Sequence, residues 1–325
     1  MRSLLNFWKS KFHIGEVIIL LGILLFAYQF TYLCGQRGFF AFDQSIIFDG
    51  SYRIASGQVP FKDFLIPFGP LVFWLQGIIF KMAGVSYASY IFGAAIFNLA
   101  ATLTSYLSLR LLIPDQKLTA ILGAAITAIW FYPPFGTPWP EQTAFFFSMV
   151  ALLLVLAGFK GQRRAIKGSR GWYLLAGIAA FAAFISKQNA GAFILPVITL
   201  IFLIENLNSI RQGILDFVIF TLGWVAGLMA FGTWLVTQAD FDLFMRHFIQ
   251  IPAEEVGAGR LPQGLLSWLQ TLFIGSAPIE IILLSIICCL IALGTLFLNF
   301  RDKTENKSGP TPQLLAAAIA PSLFL

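Results

Sequence analysis

The sequence predicts an all-α protein, a polytopic transmembrane helical bundle of about eight full spans and a partial ninth. Three observations carry that prediction. Of the 325 residues, 58% are hydrophobic and only 11% are charged, with a mean hydropathy of +0.82. A soluble domain averages about 45–50% apolar and about 25% charged residues. Long apolar runs recur along the chain, and charged residues collect in the segments between them. Together these features exclude a soluble globular domain. They imply a lipid bilayer as partner and no nucleic acid.

The apolar runs cover 15–34, 87–112, 118–132, 143–159, 172–186, 190–204, 214–237 and 277–298. At about 1.5 Å per residue, most can cross a hydrocarbon core about 30 Å thick. The runs 118–132, 172–186 and 190–204 are short and must borrow flanking residues. A further run, GPLVFWLQGIIFKMAGV at 69–85, is interrupted by Lys81 and either spans or lies in the interface.

Charge decides between those options. KGQRRAIKGSR at 160–170 is the most basic stretch and has no acid, so the positive-inside rule places it in the cytoplasm. With 69–85 interfacial, the N-terminus and segments 110–117, 205–216 and 301–307 join it there, along with most of the 21 Lys and Arg. A spanning 69–85 would put 160–170 outside. Residues 35–86 therefore read as a first extracytoplasmic loop with two interfacial helices. The whole of 1–325 reads as one transmembrane domain of the plasma (inner) membrane, multi-pass, with its N-terminus cytoplasmic.

The first apolar run has no small-x-small cleavage site after it and reads as a retained span. Cys288 and Cys289 sit in a span and Cys34 at the end of another, which gives no disulfide framework. His13 and His247 fall on opposite sides, and no metal-ligand spacing is visible. The final stretch from Gln313 makes about 20 Å of helix, too short to span. It either lies in the interface or belongs to a longer protein, and truncation is the preferred reading.

Chemistry is expected on the outer face, where most acids gather. The loop 35–86 is far longer than a connection requires, and such loops are often functional. Its stretch FDQSIIFDGSYRIASGQVPFKDF holds three aspartates. Residues 43–56 read as an amphipathic helix ended by Gly57, with Asp49 and Arg53 paired at i, i+4. Asp43 sits at the mouth of the first span, either as a helix cap or as a catalytic carboxylate. Asp63 follows Lys62 in a turn. In YPPFGTPWPEQTAFFF, Glu141 opens a helix, where a carboxylate suits the macrodipole, yet it shares side and depth with Asp43. Lys187, Gln188 and Asn189 separate two short apolar runs. Lys187 reads either as a snorkelling interfacial side chain or as an anion site. The loop 238–265 predicts one more interfacial helix at 241–250, and Arg246, His247 and Arg260 are candidates for phosphate or acceptor binding.

In order and spacing these pieces resemble the polyprenyl-phosphate-sugar-dependent membrane glycosyltransferases of the GT-C fold. The likeness is to the bacterial branch related to protein O-mannosyltransferases and lipid A aminoarabinose transferases. It rests on D43-Q-S, G57-Q-V-P-F-K-D63-F, P67-F-G-P-L71, the acid of P-W-P-E141-Q-T, and the Gly-rich run ending in Lys187-Gln188. The resemblance implies Asp43 as catalytic carboxylate, Glu141 in acceptor or sugar positioning, and Lys187 near the lipid phosphate. Two departures stand out. Gln44 replaces a glutamate common in the family, and an arginine usual after the second interfacial helix is missing from GVSYASYIFGAA. Phosphate neutralisation then falls to Lys62, Lys81, Lys187 or Arg246.

The expected reaction is an inverting transfer of a sugar from a polyprenyl-phosphate donor to a lipid, glycan or protein acceptor, with Asp43 as base. No cofactor is predicted, although Asp43 and Glu141 could share a divalent metal as oxygen ligands. The alternative is a transporter or lipid flippase. It fits less well, because transporters place ionisable residues or broken helices near the midplane and the apolar runs here are nearly free of charge. A non-catalytic scaffold or an inactive fragment is the third reading.

Overall fold

The computed structural model describes residues 14–251 and 254, apart from 40, 133–135, 164, 165, 167, 207 and 208. The expected span 277–298, the segment 301–307, Arg260 and the stretch from Gln313 lie outside the described residues. The described chain folds as α1 (Ile14–Gly35), α2 (Asp43–Ala55), α3 (Leu71–Ala83), α4 (Tyr87–Leu112), α5 (Lys117–Trp130) and α6 (Pro140–Arg163). It continues with α7 (Gly171–Ser186), α8 (Gln188–Ala192), α9 (Ile194–Glu205), α10 (Ile210–Gln238) and α11 (Phe241–Phe244), then a π-helical turn, Met245–Gln250.

Local sequence sets these boundaries. Ser86 and Ser89 form a reciprocal capping box that starts α4. Pro140 opens α6, where its missing N–H costs nothing, and Glu141 follows in the first turn. Past the end of α2, Gly57 takes φ +91°, which a side chain would resist. Asp240 caps α11 by accepting from the backbone N–H of Asp242 and Leu243.

Five segments are long and apolar enough to cross a membrane: α1, α4, α6, α8 with α9, and α10. The expected count of eight or nine is therefore not reached among the described residues. Of the eight expected full spans, 277–298 lies outside the described residues, and the other two not counted are α5 and α7, with 14 and 16 residues. Those lengths give about 21 and 24 Å of helix, short of the hydrocarbon thickness.

Both short helices nevertheless run the course of the bundle. Lys117, at the start of α5, meets Glu16 at the start of α1. Asn98 of α4 donates to Thr31 Oγ1, to the Ala27 carbonyl and, across the other side, to the Ala128 carbonyl of α5. α5 thus lies parallel to α1. Helix α7 crosses α10 backbone to backbone: a Cβ at Gly177 would overlap the Phe220 carbonyl, and one at Gly223 the Leu174 carbonyl. Glycines on both helices permit this approach, the kind of contact that substitutes for hydrophobic driving force in lipid.

The contacts sort the loops onto two ends. At one, Glu16 pairs with Arg110, Arg163 with Glu205, and Arg170 with Asp216, while Lys160 reaches the Leu111 carbonyl. At the other, Tyr87 donates to the Gly35 carbonyl, Gly136 packs on Gly35, Lys187 pairs with Glu141, and Gln188 donates to the Phe248 carbonyl. Helices α2 and α3 pack on each other and remain at this second end. There Gly50 lies against Phe73, Gly77 against Ile54, and Gly69 beneath the Ile185 carbonyl. An aromatic core closes over them, with Phe61, Phe73, Phe80, Tyr90, Phe244 and Phe248 all buried.

Candidate active site at the Lys187 end

The residues singled out from the sequence gather at one end of the bundle, on four different connections. The first aspartate opens α2, with Phe42 rather than Asp43 in the cap position. Asp43 is exposed and makes no hydrogen bond or ion pair with a described residue. Its neighbour Gln44 turns inward and is 1% exposed, and the Gln44 carbonyl accepts the Tyr90 hydroxyl. A carboxylate in place of Gln44 would therefore be buried, which leaves Asp43 as the acid presented by this turn.

The other two aspartates of the loop are engaged. Asp49 Oδ2 accepts Arg53 Nε at 2.7 Å, the i, i+4 pair expected from the sequence. Asp63 accepts the Val59 N–H at 2.7 Å and closes the turn before α3. Within that turn Phe61 takes φ +61° although it is not glycine. Such a conformation survives only when the surroundings over-determine it. Here the Phe61 N–H donates to the Phe64 carbonyl, its carbonyl accepts from Asp240 N–H, and its buried ring meets Phe244 edge-on at 5.2 Å. The turn thereby ties the first loop to α11 and sets exposed Lys62 beside an open depression of about 390 Å³, lined also by Thr237, Gln238, Asp240 and Asp242.

Glu141 and Lys187, 46 residues apart, meet in a direct ion pair. Their side chains are 29% and 20% exposed. Lys187 also stands 5.2 Å over the Phe68 ring, a cation–π contact that adds to the pair. Phe68 is held there because the chain at Gly69 passes directly under the Ile185 carbonyl, where any side chain would collide. This explains the glycine of P67-F-G-P in structural terms. Gln188 donates to the Phe248 carbonyl at 3.1 Å and so links the α7–α8 break to the π-helical turn. On that turn Arg246 is exposed and His247 half-buried.

Among the described residues no contact joins Asp43 to Glu141, and no group of three or more His, Cys, Asp or Glu is arranged to hold a metal ion. With one Glu141 oxygen on Lys187, the two carboxylates do not form a ready ligand pair. The sequence did not single out Phe61, Phe68 or Gln142. Only the QVPFKDF turn and the glycine between prolines pointed to that neighbourhood, because a left-handed phenylalanine leaves no compositional trace.

Comparison with known proteins gives one finding. The sequence model described as dolichyl-phosphate-mannose-protein mannosyltransferase matches residues 67–236, just over half of the chain. No curated protein and no solved structure gives a significant match. The matched region contains Phe68, Gly69, Glu141, Lys187 and Gln188, while Asp43 and Arg246 lie outside it.

Proposed function

The chain belongs to the dolichyl-phosphate-mannose-protein mannosyltransferase family, and from that premise we propose a reaction and a place for it. It is a multi-pass membrane glycosyltransferase of the mannosyltransferase type. The proposed reaction moves a sugar from a polyprenyl-phosphate donor to a hydroxyl of a lipid, glycan or protein acceptor. It takes place at the Lys187 end of the bundle, on the extracytoplasmic face of the plasma membrane. The donor reaches that end laterally, with its chain in lipid and its head among the outer connections. The facing follows from the basic stretch at 160–170, which belongs to the opposite end.

Asp43 takes the proton of the acceptor hydroxyl as that oxygen attacks the anomeric carbon. The bond between the anomeric carbon and the phosphate oxygen breaks, and polyprenyl phosphate departs with the electron pair. A single displacement inverts the anomeric configuration. One observation carries the assignment: of the three aspartates in the first loop, Asp43 alone has no partner among the described residues. The departing phosphate calls for a cation. Arg246 and Lys62 are exposed at the same end, whereas Lys187 would first have to leave Glu141.

Asp43→Asn keeps the size of the side chain and removes the base. In membranes supplied with labelled polyprenyl-phosphate mannose it should lower transfer by about 10²- to 10⁴-fold. Undiminished transfer by the correctly inserted variant would refute the assignment.

A further inference from the structure

Asp43 has a free side chain on a turn that its own helix holds only weakly. Helix α2 starts without a side-chain cap, and the Ser45 hydroxyl, donating to the Phe42 carbonyl, is the local tie at this start. Poorly capped helix ends fray. A general base, however, must lie within hydrogen-bond reach of its proton, and a displacement of about 1 Å can cost about 10²-fold in rate. The hold comes from another helix. Two hydroxyls from the first turn of α4 reach the chain on either side of Asp43. Tyr87 donates toward the carbonyls of Gly35, at 2.6 Å, and Gly38, at 2.8 Å, while Tyr90 donates to the Gln44 carbonyl at 3.1 Å.

The two tyrosines stand i, i+3 on one face of α4. Their turn is rigid: the Ser86–Ser89 capping box closes it, and Gln76 of α3 donates to the Ser89 carbonyl. The chain between the two ties is laid on their rings. Phe39 meets Tyr87 edge-on at 5.8 Å, and Phe48 meets Tyr90 edge-on at 5.3 Å. Gly38 takes φ +145°, which a side chain would resist, as its carbonyl turns to Tyr87. The ties differ in what could replace them. Tyr90 and Gln44 are both buried, so no water takes over a lost bond, whereas Tyr87 is half-buried and Gly38 exposed.

We propose that Tyr87 and Tyr90 are positioning residues for sugar transfer, which set the Asp43 carboxylate in place from the opening turn of α4. Tyr90, beside the base and buried, carries the larger share. The inference rests on the reading of Asp43 as the base. Neither tyrosine touches the reacting atoms; both act through the backbone that flanks Asp43.

The test measures transfer from labelled polyprenyl-phosphate mannose per folded molecule, on the full chain in lipid nanodiscs. Tyr90→Phe keeps the ring and removes the hydroxyl. It should lower kcat by about ten-fold and leave the donor KM within about two-fold. Tyr87→Phe should lower kcat by about three-fold, since water can serve the exposed Gly38 carbonyl. Added to Asp43→Asn, Tyr90→Phe should change the residual transfer by less than about two-fold, because the turn no longer carries a base. A full ten-fold loss in the Asp43→Asn background, a change confined to KM, or unaltered transfer by Tyr90→Phe would overturn the positioning role and leave Asp43 as base. Undiminished transfer by Asp43→Asn alone refutes the base, and the positioning role falls with it.

Discussion

At the end where α1 begins, Glu16 is 4% exposed and receives Arg110 at 3.0 Å, Lys117 at 3.6 Å and the Tyr106 hydroxyl at 2.5 Å. At the same end, fully buried Asp216 receives Arg170 and both contacts of the Gln162 amide. At the opposite end the Glu141 carboxylate is 29% exposed, its second oxygen has no hydrogen-bond partner among the described residues, and Asp43 and Arg246 stand in the open. Among the described residues, Glu16, Glu205 and Asp216 at the first end each meet a cation, even where one oxygen, Glu16 Oε2 or Glu205 Oε1, makes no hydrogen bond. At the second end Asp43 meets no cation among them. A buried charge that meets its counter-charge fastens helices, whereas an unpartnered acid at an open face is the kind kept for a ligand. Under the proposed function, the Glu16 end fastens the bundle and the Lys187 end carries the chemistry.

The largest effect should come from breaking the fastening. Arg110→Ala leaves Glu16 buried with Lys117 and Tyr106 alone, and should cost about 3–5 kcal/mol, read as a fall in melting temperature in detergent. If the variant melts with the wild type, the Glu16 end is not a clamp. Next, Gly223→Ala forces a methyl group into the Leu174 carbonyl and should cost about 1–3 kcal/mol by the same assay. Gly69→Ala sharpens the contrast from the other side. It forces a methyl group into the Ile185 carbonyl as Gly223→Ala does into that of Leu174, so it should also cost about 1–3 kcal/mol. By pushing Phe68 and the approach to α3 away from Lys187 it should in addition reduce transfer per folded molecule by about ten-fold. Wild-type transfer per folded molecule would make Gly69 a packing residue only. Smallest of all is Asp49→Ala. It removes a pair whose members are 57% and 39% exposed and should change stability by less than about 0.5 kcal/mol, with transfer unaltered.

The sequence made local features legible where one stretch of chain determines them. The helix 43–55 with its Asp49–Arg53 pair, the break at Lys187, and the separation of 110–117, 160–170 and 205–216 from the remaining loops all follow from periodicity and charge. Features that depend on distant partners were not legible. Nothing in PWPEQT or ISKQN announces that Glu141 and Lys187 will meet, and Lys187 was free to snorkel or to bind an anion. Glu16 and Asp216 look like ordinary acids of cytoplasmic flanks until the helices that supply Arg110, Gln162 and Arg170 are packed around them. The shortness of α5 and α7 was visible as short apolar runs, but their passage alongside longer helices depends on Asn98 and on the Gly177–Gly223 crossing. Cap geometry also escaped the sequence, since Asp43 opens α2 without capping it.

The division of labour between the ends is tested most directly by the initial rate of labelled sugar transfer per folded molecule, measured for Lys187→Gln alongside Arg110→Ala. The account predicts that Lys187→Gln melts close to the wild type and, with Glu141 no longer held in place, loses about ten-fold or more of its transfer. Arg110→Ala should instead lose folded protein, while the molecules that remain folded transfer normally. Wild-type transfer by Lys187→Gln, or a per-molecule loss confined to Arg110→Ala, would contradict it.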